Sequence, residues 1–129
     1  MELMDKIQEI ARKDGRFSSQ AFVFVFQALE VATKRVARRD PPGHVSGREL
    51  LEGIRLLGLE QFGYLAGGVF ESWGVRSTRD FGEIVFVMVQ ENLMGKNDRD
   101  SIEDFENVYD FEEVFEKGFT FERSGPDES

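Results

Sequence analysis

Ala21-Phe22-Val23-Phe24-Val25-Phe26-Gln27-Ala28-Leu29-Glu30 is the stretch on which the fold turns. Its first six residues alternate in size and, taken alone, read as a buried strand. Two features favour a helix. Phe22, Val25, Leu29, Ala32 and Val36 recur at alternating spacings of three and four, and the run continues into the helix-favouring Gln27-Ala28-Leu29-Glu30. With Ser18 or Ser19 as cap, the helix is predicted to run to about Arg39. Phe24, Ala28 and Val31 give it a second apolar face, so it is buried on several sides and stands at the centre of the fold. A homodimer interface would satisfy the same Phe-rich surface.

The flanking sequence carries the same pattern. Glu2 to Lys13 places Leu3, Ile7, Ile10 and Ala11 on one helical face, and Gly15 stops that helix after Arg12-Lys13. Asp40-Pro41-Pro42-Gly43 breaks the chain after the central helix. Ser46 with Glu49 forms a capping box for a third helix, striped by Leu50, Leu51, Ile54, Leu57 and Phe62. Beyond Gly63 a shorter helix turns Leu65, Val69, Phe70 and Trp73 inward. Gly74 is its left-handed cap and Val75 the apolar residue that follows. Ser77 and Asp80 cap a fifth helix, from about Arg79 to Leu93, which Gly95 ends. Its run Ile84-Val85-Phe86-Val87-Met88-Val89 has the same strand-like look, outweighed by the cap ahead of it and by Gln90-Glu91-Asn92-Leu93 behind.

The last quarter of the chain differs in charge. From Met1 to Asn97, 13 Lys and Arg cancel 13 Asp and Glu; from Asp98 to Ser129, 12 acids face 3 bases and supply the whole net charge of −9. The same segment holds Phe105, Tyr109, Phe111, Phe115, Phe119 and Phe121, rings that a purely solubilising tail does not need. Asp100 with Glu103 and Asp110 with Glu113 repeat the cap pattern. Ile102, Phe105 and Tyr109 share one face, and Phe111, Val114, Phe115 and Phe119 another. The expectation is an all-α single domain over residues 1–123, about five helices with two short amphipathic helices in a docked acidic, aromatic arm (98–123). Residues 124–129 are expected to be disordered.

Composition narrows the function classes. There is no cysteine, so disulfides, thiol nucleophiles and zinc–thiolate sites are excluded. No apolar run approaches the ~20 residues of a membrane span, and the N-terminus carries no signal-peptide apolar region. A cytoplasmic protein without a membrane partner fits.

Asp14-Gly15-Arg16-Phe17-Ser18, His44-Val45-Ser46-Gly47 with Glu49-Leu50-Leu51-Glu52-Gly53-Ile54-Arg55, Glu60-Gln61-Phe62-Gly63, Ser72-Trp73-Gly74-Val75-Arg76, Asp80-Phe81-Gly82-Glu83-Ile84-Val85 and Tyr109-Asp110-Phe111-Glu112-Glu113 stand out as motifs. Together they resemble an uncharacterised family of short acidic bacterial proteins, over roughly residues 14–119. The resemblance implies a bacterial cytoplasmic protein and brings no activity, cofactor or catalytic residue with it.

Candidate chemistry is sparse. His44, the single histidine, sits in a loop before a helix start; it reads as a proton-transfer group or lone metal ligand, or more simply as a loop residue bonded to backbone. Glu49, Glu52, Glu60, Glu71, Asp80 and Glu83 could hold a hard cation, but the Glu-x-x-His spacing of di-iron bundles and calcium-loop spacing are both missing, and caps or solvated faces explain them better. No metal or cofactor is therefore expected. Trp73-Gly74-Val75-Arg76 leads into a helix start whose free N–H groups favour an anion; the plainer reading has Trp73 in the core and Arg76 paired with Asp80. Lys34, Arg35, Arg38 and Arg39 are the one basic cluster and complement a helix C-terminus.

These readings favour a non-enzymatic interaction or adaptor protein whose arm, or the groove beneath it, meets a protein partner. The candidate surface is His44, Trp73, Arg76, Asp80, Phe105, Phe111 and Phe115. A helix-turn-helix nucleic-acid binder masked by the arm is the second reading, disfavoured by charge. An enzyme or small-ligand protein, such as a small-anion or nucleotide binder, using Trp73, Arg76 and His44 is the third.

Overall fold

A computed structural model describes residues 2–36, 45–95 and 102–117. Among them are five α-helices and no strand: α1 (Leu3–Asp14), α2 (Ser19–Arg35), α3 (Gly47–Phe62), α4 (Ala66–Ser72) and α5 (Thr78–Gln90). A 3-10 turn, Gly63–Leu65, joins α3 to α4; the arm contributes a second, Ile102–Phe105, and a π-helical turn, Glu112–Lys117. Both strand-like runs are helical, as their spacing and flanking residues require.

The central helix is α2, packed by α1, α3 and α5. Ala21, Phe22, Phe24, Val25, Ala28 and Ala32 are all buried, while Val23, Phe26, Leu29 and Val31 are half-buried. The α2–α3 crossing is tight because Gly53 has no side chain there. A Cβ at Gly53 would stand 2.7 Å from the Ala28 carbonyl oxygen and 3.2 Å from Ala32 Cβ. Ser46 Oγ accepts from Glu49 N–H at 3.1 Å while Ser46 N–H donates to Glu49 Oε1 at 2.8 Å, the reciprocal capping box expected for α3.

Gly15 (φ 78°) and Gly74 (φ 93°) take the left-handed conformation that their cap roles require. At Gly74 the Val75 N–H donates to Phe70 O at 2.9 Å, and Val75 is buried behind it. The end of α5 differs from expectation. It stops at Gln90, and Asn92 (φ 62°), not Gly95, provides the left-handed turn, with Leu93 N–H donating to Met88 O at 2.8 Å. Asn tolerates that conformation better than other residues bearing a side chain, so it could replace glycine one turn earlier. Leu65 also departs from the expected inward stripe: at 59% exposure it faces out, because the Gly63–Leu65 turn tightens to 3-10 and rotates it off the α4 face. Leu3, placed on the buried face of α1 by spacing, is likewise 55% exposed.

The arm lies on the body. Its two short helices are one 3-10 and one π turn, and its rings group differently from the spacing. Phe105 occupies its own slot, while Tyr109 joins Phe111 and Phe115, with ring centroids 6.3 and 6.2 Å away. Phe105 and Phe115 are fully buried. α2 stops at Arg35, with Val36 as its C-cap, short of the expected end near Arg39. The Asp100 cap, Phe119, Phe121 and the 124–129 tail lie outside the described residues.

Candidate functional site

Glycines on the body set the places where the arm's rings dock. Phe105 lies over Gly82 of α5 and Gly47 of α3; a Cβ on them would sit 2.6 Å and 3.0 Å from its ring atoms. Phe115 lies over Gly58, where a Cβ would be 3.2 Å from its Cε1, and Phe111 stands over Gly67 of α4 at 3.6 Å. Glycine inside a helix costs about 1 kcal/mol relative to alanine. Gly58 and Gly82 accept that cost where a ring needs the missing side chain's volume, whereas Gly67 meets only Phe111 Cβ at an ordinary contact distance.

Phe70 joins arm and body. Its ring centroid lies 5.2 Å from Phe24, 5.6 Å from Trp73 and 5.1 Å from Phe81 on one side, and 5.5 Å from Phe111 and 5.4 Å from Phe115 on the other. Several of these contacts are edge-on, the arrangement that ring quadrupoles favour.

Three polar ties accompany the rings. Buried Thr78 donates to Phe105 O at 2.5 Å and accepts from Val108 N–H at 3.2 Å, gripping the backbone around Asn107, which takes φ 52°. Tyr109 donates to Leu51 O, in the second turn of α3, at 2.7 Å. Burial, then the Glu52 carboxylate, pushes the Tyr109 phenol far up, with Arg55 opposing; it stays a neutral donor. Arg79 is ion-paired with Glu106. The Arg55 hydrogen bond holds the Glu52 carboxyl below its ordinary range, partly opposed by burial.

The expected site residues separate into three settings. Trp73 is core, 5.5 Å from the Phe24 ring and 5.9 Å from Phe62. Asp80 accepts from the Arg76 backbone N–H at 2.8 Å, so the expected pairing of Arg76 with Asp80 is made through the main chain in a capping role. Ser77 occupies the N-cap position of α5 without a side-chain cap bond. The exposed Arg76 side chain lines a cleft of about 190 Å³ with Ser77, Thr78, Asn107, Tyr109, Asp110 and Phe111. Arg76 and Phe111 are thus brought together, whereas Trp73 meets Phe70, whose ring in turn meets the arm's Phe111 and Phe115. His44 lies outside the described residues. Sequence spacing missed the docking glycines, Thr78 and Tyr109; the available signal was a set of glycines inside otherwise good helices.

With the rings turned in, the arm's outer side is acidic. Residues 102–117 carry seven carboxylates and a single base, Lys117, and Glu103, Asp110, Glu112, Glu113 and Glu116 are exposed. The π turn packs against the Gly63–Leu65 turn, where Tyr64 and Leu65 are 51% and 59% exposed. Residues 56–75 contain no Lys or Arg. Among the described residues no group of three or more His, Asp or Glu is placed to hold a metal ion, and no helix is long and apolar enough to cross a membrane.

The molecule is therefore a small all-α domain with a docked aromatic arm and a negatively charged outer face. No family model, curated protein or solved structure matches the chain.

Proposed function

We propose that this chain is a small non-enzymatic protein-interaction or adaptor protein that meets its partner through the acidic face built on the arm. The observation that carries the reading is the arm's polarity: its rings are packed into glycine-floored sites while the carboxylates point outward. Docking holds those charges in a fixed array, and an ordered array discriminates among basic surfaces by geometry as well as by charge. A cytoplasmic setting accords with the cysteine-free composition.

The test is capture of partners by the full-length protein and by a Glu112→Lys/Glu113→Lys/Glu116→Lys variant of unchanged helicity. A partner held by the wild type and released both by the variant and by raised salt is expected. Failure of either protein to retain a specific partner from any lysate would remove the reading's support.

The cleft at Arg76 favours a second reading, recognition of a small anion or nucleotide at the α5 start. The guanidinium and the Ser77 hydroxyl suit an anion, while Asp80 and Asp110 oppose one. Thermal-shift titration with phosphate and nucleotides separates it from the first. A masked nucleic-acid binder is disfavoured further by the Arg79–Glu106 pair, which uses α5's single cation within the protein.

A further inference from the structure

We infer that a chain of ion pairs, reaching from the α1–α2 turn across α5, sets how tightly the arm is held, with Glu83 as its control point. This rests on the docked arm of the interaction reading above and names what regulates that docking. Its test needs no partner, so the two can fail separately.

Two successive residues of α5 hold the arm at residues 105–108. Thr78 bonds to Phe105 O and to Val108 N–H, and Arg79 pairs with the Glu106 carboxylate. Arg79 is shared. One turn further along α5, one carboxylate oxygen of Glu83 lies 3.5 Å from Arg79 Nε, while the other accepts from Arg16 Nη1 at 3.3 Å. Arg16 is fixed in its turn by Asp14, which accepts from its Nη2 at 2.8 Å and from its Nε at 3.1 Å. Charges therefore alternate along Asp14, Arg16, Glu83, Arg79 and Glu106. The chain joins stretches 67 residues apart at Arg16–Glu83 and 27 apart at Arg79–Glu106.

An isolated pair of exposed side chains stabilises little; sharing gives this set its consequence. Glu83 and Glu106 compete for the Arg79 guanidinium, and Arg16 and Arg79 compete for the Glu83 carboxylate. By holding Glu83, Arg16 leaves Arg79 to Glu106 and tightens the arm, although its own pairs are with Asp14 and Glu83. Glu83 acts in the opposite sense, drawing Arg79 away from Glu106. An anionic group that took Arg16 from Glu83 would accordingly slacken the arm from the α1–α2 turn, a coupling between two separate places on the molecule.

Hydrogen exchange at the Val108 N–H, whose acceptor is Thr78 Oγ1, reads arm opening in the full-length protein, with amides of α2 as the reference for global unfolding. Arg79→Gln, Glu106→Gln and Arg16→Gln should each speed it about two- to fivefold against that reference, and Glu83→Gln should slow it about twofold. In the Glu83→Gln background Arg16→Gln should have no further effect, because the link between Arg16 and Arg79 is then cut. Arg12→Gln removes the same charge from the pair with Glu9 and should leave Val108 exchange unchanged. Faster exchange in Glu83→Gln would overturn the proposal. So would an Arg16→Gln effect of equal size with and without the Glu83 carboxylate, or one no larger than that of Arg12→Gln. Any of these results would leave the acidic face and its partner capture standing.

Discussion

Gly82→Ala tests the docking of the arm through a change of sign. In an open helix interior, replacing glycine by alanine stabilises by up to about 1 kcal/mol, since alanine loses less backbone entropy on folding. At Gly82 the added methyl would stand 2.6 Å from Cγ and 2.8 Å from Cβ of Phe105. These atoms are near the backbone of a fully buried residue whose carbonyl is gripped by Thr78, so the ring cannot move aside cheaply. Overpacking of this kind costs roughly 1–3 kcal/mol, which outweighs the propensity gain. Urea unfolding followed by Trp73 fluorescence should therefore give a net loss of about 1–2 kcal/mol. In a Phe105→Gly background, which removes Cβ as well as the ring and is already destabilised by at least the roughly 3–5 kcal/mol of truncating a buried Phe to Ala, the clash is gone and Gly82→Ala should turn neutral or stabilising. Gly68→Ala, with nothing within 4 Å, is the internal control and should stabilise in both backgrounds. Equal effects of Gly82→Ala with and without the Phe105 ring would refute the reasoning, because the two positions would then not touch.

Thr78→Val keeps the side chain's shape but removes the donor to Phe105 O and the acceptor for Val108 N–H; it should cost about 1–3 kcal/mol and speed hydrogen exchange at Val108. Gly53→Ala meets backbone at 2.7 Å rather than a ring, so it should destabilise more than Gly58→Ala, whose nearest neighbours are side-chain atoms at 3.1 and 3.2 Å; urea midpoints of the two variants compare them. The Glu52 carboxyl, lowered by Arg55, binds its proton less readily folded than unfolded. Its contribution to stability is therefore complete above the ordinary carboxylate range and lost as pH falls through and below it, and Glu52→Gln should flatten that part of the pH dependence of the urea midpoint.

The helices were legible because their signals are local. Phe22, Val25, Leu29 and Ala32 repeat at helical spacing, Ser46 and Glu49 cap each other across one turn, and Gly74 with Val75 closes α4 within a few bonds. Burial of Phe105 and Phe115 followed from composition, since an acidic segment rich in rings has a reason to fold back. Their seats were not legible. Gly47, Gly58 and Gly82 read as weak points in helices until a ring from far along the chain lies over each one. Arg76 shows the same limit: spacing put a carboxylate in reach, but whether it meets guanidinium or backbone N–H is decided by the turn at Gly74. Leu65 was misjudged because helical periodicity was carried through a 3-10 turn, which alters the angle between successive residues.

The proposed acidic face exists only if residues 102–117 are fixed on the body with their rings inward. The most direct measurement is a set of NMR distance contacts between the Phe105 ring and the Hα protons of Gly47 and Gly82, read together with the Gly82 chemical shifts. The packing predicts strong contacts to both glycines and Gly82 protons displaced by the ring current of Phe105. Random-coil shifts across residues 102–117, with no contact from Phe105 to either glycine, would contradict it.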